Sequence, residues 1–451
     1  MKFTIRRSVP ARAWLQVPAA AVFLALTISA ALQPAYSQTL SGYDRDRGLT
    51  MLDIVKSDVK KNYYDPAFRG MDLDARFKAA EQKIKQEATS LGHVLAIIAQ
   101  ALLDLDDSHT FFIPPSKVAR TDYGWQMQMV GDRCFVTAVK PKSDAEAKGL
   151  KVGDEVLKVD GFVPTRNDLW KIKYLYYALR PRAGMRLVIR KPDGKETQMD
   201  VMAKVQSGKQ LMDLTAGQDI WTLIRESEVE DRLHRHRYIE VGDELLIWKM
   251  PQFDLPDAGV DEMMSKARKR KSLILDLRGN GGGYEDTLKR LVGHFFDRDV
   301  KMAELKGRKA LKPLVAETRG DKVFKGKLVV LIDSESGSAA ELFARVVQLE
   351  KRGTVIGDRS AGAVMRSKAY QHQLGIDVVS FYAVSVTDAD VIMSDARSLE
   401  RTGVTPDEVL LPTAADMAGT RDPVMARAAA IVGVSLSPEK AGEMFPVEWR
   451  K

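Results

Sequence analysis

Residues 331–347 read LIDSESGSAAELFARVV. An apolar run beginning at Leu328 breaks into Ser334, Ser336 and Ser338, and a helical apolar period follows. Ser338 stands between Gly337 and Ala339. A serine among small residues, where a strand turns into a helix, is placed to act as a nucleophile. Nothing crowds its hydroxyl, and helix-end amides face the negative charge that develops on attack. Serine is also an ordinary helix cap, so the position alone does not decide. A nucleophilic serine further needs a base to take its proton. A second stretch is LILDLRGNGGG, a buried-type strand running into Gly279-Asn280-Gly281-Gly282-Gly283. Glycines there allow positive φ and let N–H groups point at a ligand. A phosphate loop would need a Gly-Lys-Ser/Thr ending or GxGxxG spacing, and neither is present. A third stretch, GDRSAGAVMRS, follows the strand-like GTVIG.

Other chemistry is poorly supplied. The single cysteine, Cys134, lies in the alternating run RCFVTAV and reads as a buried strand residue, so no intrachain disulfide forms. His234 and His236 flank Arg235 in a basic tract with no carboxylate or cysteine at ligand spacing, which reads as solvated surface rather than a metal site.

The elements that must position these groups fall into several blocks. The chain has 451 residues, enough for two or three domains, with 45% hydrophobic and 29% charged residues. Lys2, Arg6, Arg7 and Arg12 are the only charges before residue 38, so the formal charge of +8 leaves +4 on the rest. That is too little over this length to argue for nucleic acid. Those basic residues, the apolar run AAAVFLALTISAAL and Ala35-Tyr36-Ser37 read as a signal peptide over 1–37, cleaved after Ser37. The expectation is an exported protein, periplasmic or secreted, with no stable membrane span after cleavage.

Residues 38–118 read as an N-terminal helical domain. LTMLDIVKSDVKKNYY, LDARFKAAEQKIKQEA and SLGHVLAIIAQALLDL carry apolar residues at three- and four-residue spacing, and FFIPP closes the block. From Tyr123 the pattern alternates in WQMQMV and CFVTAV. SDAEAKGLKVGDEVLKVDG follows, then MRLVIRKPDGKETQMDV, a hairpin turning at Asp193-Gly194. Residues 206–236 are polar and read as a connector. Over 237–451 the strand signals RYIEV, ELLIWKM, SLILDL, KLVVLID and GTVIG alternate with helical stretches, which predicts an α/β domain with functional loops at strand ends.

Two resemblances bear on this organisation. Residues 119–205 resemble a PDZ domain through Ser143, Ala145, Lys148-Gly149-Leu150, Gly153-Asp154-Glu155-Val156-Leu157 and Val159-Asp160-Gly161. PDZ domains add an extended chain end as a strand, and the implied peptide-binding loop is Tyr123-Gly124-Trp125, with Gly124 and Trp125 as its site residues. The alternative is a rigid spacer with a closed groove. The order DLRGNGGG, SGSAAE, GDRSAGA, LERTGVTPD, with a PDZ domain upstream, resembles the C-terminal processing (tail-specific) peptidases and their tricorn-protease-like relatives.

That resemblance implies a multidomain α+β protein: an N-terminal helical segment, a PDZ domain and an α/β, ClpP/crotonase-like serine peptidase domain. It implies Ser338 as nucleophile, with Ala339 and Gly282 amides as the oxyanion hole. It implies polypeptide substrates, including C-terminal segments, and requires no cofactor. Tail-specific peptidases carry a lysine base in a Thr-x-Gly-Lys pattern, where this chain has Ser360-Ala361-Gly362-Ala363. Alanine cannot accept a proton, and Lys368, five residues on, faces the other side of a strand. The tricorn-like branch implies instead a Ser-His pair upstream of the PDZ domain and a glutamate near the C-terminus, here Ser108-His109 and Glu400. His109 is then the expected base, with Glu400 orienting it through Ser108. The rivals are a Ser338–Lys368 dyad and a catalytically silent peptide-binding protein.

Overall fold

A computed structural model of the chain describes residues 40–115, 119–207, 235–375 and 380–449. The expected signal peptide and most of the connector lie outside the described residues. Among the described residues no helix is long and apolar enough to cross a membrane.

Three helices open the fold, Gly42–Asn62, Leu73–Gln86 and Leu91–Leu103, capped by the side chains of Ser41, Asp72 and Ser90. Their apolar faces meet in a core containing Val55, Val59, Phe77, Ile84, Val94 and Ile98. Phe112 and the distant Tyr382, Val384 and Val386 belong to the same core. FFIPP does more than end a helix: Phe111–Ile113 is a strand, pairing antiparallel with Ser380–Met393 so that Phe112 lies opposite Val384. This pairing carries the Ser108-His109 turn onto the C-terminal half of the chain.

Residues 125–202 form a five-stranded antiparallel sheet in chain order, Trp125–Val130, Arg133–Val139, Glu155–Val159, Gly184–Arg190 and Glu196–Met202. The expected hairpin turns at Gly194, whose φ is +86°. This unit has its own core of Tyr123, Trp125, Met127, Val136, Leu187 and Ile189. A two-stranded strap, Ala119–Asp122 with Lys204–Ser207, joins its entry to its exit.

The central sheet has six strands in the order Glu408–Val409, Thr354–Gly357, Lys327–Ile332, Ser272–Asp276, Leu245–Lys249 and Arg237–Val241. All neighbours are parallel except the last pair. Its strands are near-continuous apolar runs because helices cover both faces. Leu246, Trp248, Leu273, Leu275 and Val330 pack toward Asp257–Ala267, Glu285–Gly293 and Ala339–Leu349. Leu245, Ile247, Ile274, Val329 and Leu331 pack toward Pro423–Val432. A second antiparallel sheet joins Phe111–Ile113, Ser380–Met393, Val300–Lys306 and Leu314–Ala316, with Met365–Leu374 also paired to Ser380–Met393. The whole is a mixed α/β fold of helices and several sheets.

Candidate active site

The strand Lys327–Ile332 ends at Asp333, and the chain turns before the helix Ala339–Leu349. The turn is closed by Ser336, whose hydroxyl accepts from Asp333 N–H at 2.9 Å and donates to Leu277 O at 2.8 Å. Ser338 follows with φ 52° and ψ −116°, a backbone conformation that a non-glycine residue holds only when its surroundings impose it. The surroundings are specific. Ser338 N–H donates to Ala363 O at 2.9 Å and to Glu341 Oε2 at 3.0 Å.

Glu341 is fully buried. Besides Ser338 N–H it accepts from Ala363 N–H at 2.9 Å, Gly362 N–H at 2.8 Å and Ser360 Oγ at 2.6 Å. One carboxylate thus pins the Ser338 turn to the Ser360–Ala363 loop. Burial pushes its pKa up to about 7, and the four donors work against that rise.

An imidazole approaches Ser338 from the end of the N-terminal helical segment. His109 Nε2 lies 3.3 Å from Ser338 Oγ, and His109 Nδ1 lies 2.7 Å from Ser108 Oγ. Ser108 Oγ is 2.8 Å from Glu400 Oε2, and Ser108 N–H donates to Glu400 Oε1 at 2.9 Å. The proton bookkeeping is decided by chemistry. Ionised Glu400 only accepts, so the single Ser108 hydroxyl proton goes to it. His109 Nδ1–H must then donate to Ser108 Oγ, which leaves the Nε2 lone pair facing Ser338. Val364 N–H also donates to Glu400 Oε2 at 2.9 Å, and Arg401 Nε stands 3.7 Å from Oε1. Burial raises the Glu400 pKa, and those donors oppose the rise.

Asp107 holds the histidine turn. Its Oδ1 accepts from His109 N–H at 2.9 Å, Thr110 N–H at 2.7 Å and Thr387 Oγ1 at 2.8 Å. Burial pushes the His109 pKa below its ordinary value, and the Asp107 charge pulls it back up.

The glycine loop is arranged differently from the expectation. Gly282 N–H donates to Asn280 Oδ1 at 2.8 Å, so in this structure the amide assigned to the oxyanion hole is already engaged. Gly282 is needed for closeness instead: at φ +109°, a Cβ there would stand 2.6 Å from Ser338 Cβ. Asn280 itself is fully buried and donates from Nδ2 to Met250 O at 2.9 Å. The Ala339 amide, at the first position of its helix, is one of the end amides that a helix leaves unpaired. A cleft of about 430 Å³ opens beside this assembly, lined by Ser108, Gly281, Gly337, Met129, Leu169 and Trp170 among others.

The remaining sequence candidates lie elsewhere. Lys368 is exposed on Met365–Leu374 and pairs with Asp388 at 3.5 Å; it makes no hydrogen bond to Ser338. Gly124 N–H donates to Asp122 Oδ1 at 2.9 Å, and Trp125 is buried at the edge of the five-stranded sheet. That loop's amide is therefore occupied by the chain's own carboxylate. Among the described residues no group of three or more His, Cys, Asp or Glu is placed to hold a metal ion. Burial pushes the Cys134 thiol up to about 12.

Sequence reasoning missed Glu341, Asp107 and Asn280. Each carried a local signal: Ser338-x-x-Glu341 is a capping-box pattern, and Asp107 and Asn280 each accept from the amide two residues on, as an Asx turn does.

Residues 245–410 match peptidase family S41. The Tail-specific protease of Haemophilus influenzae is 23% identical over 359 residues, covering 74% of this chain and 48% of that protein. The chloroplastic C-terminal processing peptidase of Tetradesmus obliquus is 23% identical over 380 residues, covering 78% and 75%. Among solved structures, mature CPAF complexed with lactacystin superposes with a TM-score of 0.61 at 16% identity, covering 84% of this chain and 96% of that one, a likeness of fold. The chain spans about half the length of the Haemophilus protein and of a probable CtpA-like serine protease from Staphylococcus saprophyticus, 48% and 52%.

Proposed function

We propose that this chain, whose residues 245–410 match peptidase family S41, is a serine-type peptidase that cuts polypeptides by acyl transfer through Ser338 and His109. The observation that carries this reading is the chain of hydrogen-bond contacts Glu400–Ser108–His109–Ser338, drawn from segments up to 292 residues apart. Ser338 Oγ attacks the carbonyl carbon as His109 Nε2 takes its proton. The Ala339 amide faces the oxyanion. His109 then protonates the leaving amine, and water, deprotonated by the same nitrogen, releases the acyl group and restores Ser338. Glu400 acts through Ser108, stabilising the imidazolium and holding the tautomer. Glu341 keeps Ser338 in its strained conformation.

Residues 119–205 serve as a PDZ domain that recruits chain ends, a role supported by the edge strand Trp125–Val130, which borders the cleft at Met129. The catalytic domain is read as ClpP/crotonase-like. The protein is exported after loss of residues 1–37, and N-terminal sequencing of the exported protein then begins at Gln38.

A serine-reactive phosphonate tests the site. Wild type and Lys368→Ala are expected to label, while Ser338→Ala does not and His109→Ala labels at least a hundredfold more slowly. A Ser338→Ala, His109→Ala double variant should be little worse than either single one in peptide turnover, because the two act as a unit. Labelling that survives His109→Ala but is lost in Lys368→Ala would replace this reading with the lysine dyad.

A further inference from the structure

Four cations line the cleft beside Ser338, Arg166, Lys173, Arg359 and Arg401, against one carboxylate, Glu335. Three of the four are answered within the chain. Arg166 pairs with Asp358 at 2.6 Å, Lys173 with Glu335, and Arg401 with Asp106 at 2.5 Å. The Arg359 guanidinium is exposed and has no hydrogen-bond or ion-pair partner among the described residues.

Its backbone, by contrast, is clamped. Arg359 O accepts from both Nη1 and Nη2 of Arg166 at 3.1 Å, and Arg359 N–H donates to Asp358 Oδ1 at 2.7 Å. Asp358 Oδ2 in turn accepts from Gly131 N–H at 2.9 Å. On the other side, Ala361 N–H donates to Ser336 O and Ala363 O accepts from Ser338 N–H, each at 2.9 Å. The Arg359 side chain therefore hangs from a backbone tied both to the five-stranded unit and to the nucleophile turn.

We propose that Arg359 determines specificity in this cleft, and that the substrate class is a polypeptide presenting a carboxylate within a few residues of the bond that is cut. The inference rests on the peptidase reading above and names its substrates. A guanidinium offers a carboxylate paired N–H donors, and a fixed backbone reduces the ordering cost of binding. Because the neighbouring cations already hold carboxylates, a ligand carboxylate meets Arg359 without displacing an internal pair. Glu335, the one anion on the wall, is balanced by Lys173. The carboxylate has two possible sources, an Asp or Glu side chain and the terminal α-carboxylate of a chain.

The test uses the full chain and quenched fluorescent peptides. One set places Glu, Gln or Lys in turn at each of three positions on either side of the cleaved bond; another compares free-acid with amidated C-termini. Wild type should favour Glu over Gln, or acid over amide, by about tenfold in kcat/KM, carried by KM and shrinking at high salt. The first ratio identifies a side-chain source and the second a terminal one. Arg359→Gln should bring that ratio to about one, and Arg359→Glu should turn the Glu/Lys preference around. No preference in wild type, or one that survives Arg359→Gln, overturns the proposal. Binding of the same labelled peptides to Ser338→Ala, read by fluorescence anisotropy, reports these ratios without turnover. A protein that cuts nothing but still discriminates there refutes the peptidase reading alone, and one that neither cuts nor discriminates refutes both.

Discussion

Asp107 places a buried negative charge two residues before His109. One of its oxygens takes three donors, while Oδ2 makes no hydrogen bond and lies against the buried Tyr63 hydroxyl. Tyr64 and Arg69 are the other titratable groups that feel this carboxylate, and Ser108 with Glu400 stands on the far side of the imidazole. In the proposed mechanism neutral His109 takes the Ser338 proton, so activity should rise with pH through its pKa. Burial sets that limb below the ordinary histidine value, and Asp107 opposes the shift. Asp107→Asn keeps an acceptor for the three donors and removes the charge. The acidic limb of kcat/KM should then move to lower pH, with a several-fold lower plateau from the weaker base. A full pH profile of both proteins checks this. An unmoved limb would assign it to another group, with Glu400 next in line, and Glu400→Gln would then flatten it.

The elements show why some of the fold was legible and some was not. SLILD and KLVVLI are strands buried on both faces, and continuous apolar runs of that kind declare themselves. MRSKAYQHQL is a ten-residue strand of largely polar residues, half-exposed, and its partner Ser380–Met393 mixes both patterns. Neither figures among the strand signals read from the sequence. Their importance is positional, because Ser380–Met393 is the bridge between the two halves of the site. Phe112 sits on that bridge, fully buried between the helical core and Val384. Phe112→Ala should cost about 3–5 kcal/mol of stability. Its effect on labelling should be out of proportion at temperatures where the protein remains folded, since the displaced strand begins two residues after His109. Thermal melting alongside phosphonate labelling separates the two. Labelling that tracks the folded fraction alone would show that the turn is held by Asp107 without help from the strand.

At the scale of the whole molecule, the site is assembled from segments that no local pattern links. His109 and Ser338 are 229 residues apart, and Ser108 and Glu400 are 292 apart. The Ser-His pair and the glutamate were readable only through resemblance. The grip of the five-stranded unit on the Ser338 turn was not readable at all. Gln128 Nε2 donates to Asp333 Oδ2 at 2.6 Å, and Ser334 Oγ donates to Met129 O at 2.6 Å. Asp333 Oδ1 meanwhile accepts from Gly279 N–H at 2.9 Å and Glu335 N–H at 3.0 Å. One aspartate thus joins the unit, the glycine loop and the serine turn. On sequence alone, deleting residues 120–205 should alter the choice of peptides more than the chemistry on a small activated ester. With Asp333 and Ser334 losing their partners, the ester reaction should fall as well, by about tenfold or more. Gln128→Ala removes one tie without opening the sheet, and should lower ester kcat several-fold while melting behaviour stays within a few degrees of wild type. If both variants turn over the ester normally, the ties are passive packing, and the unit acts on peptides alone.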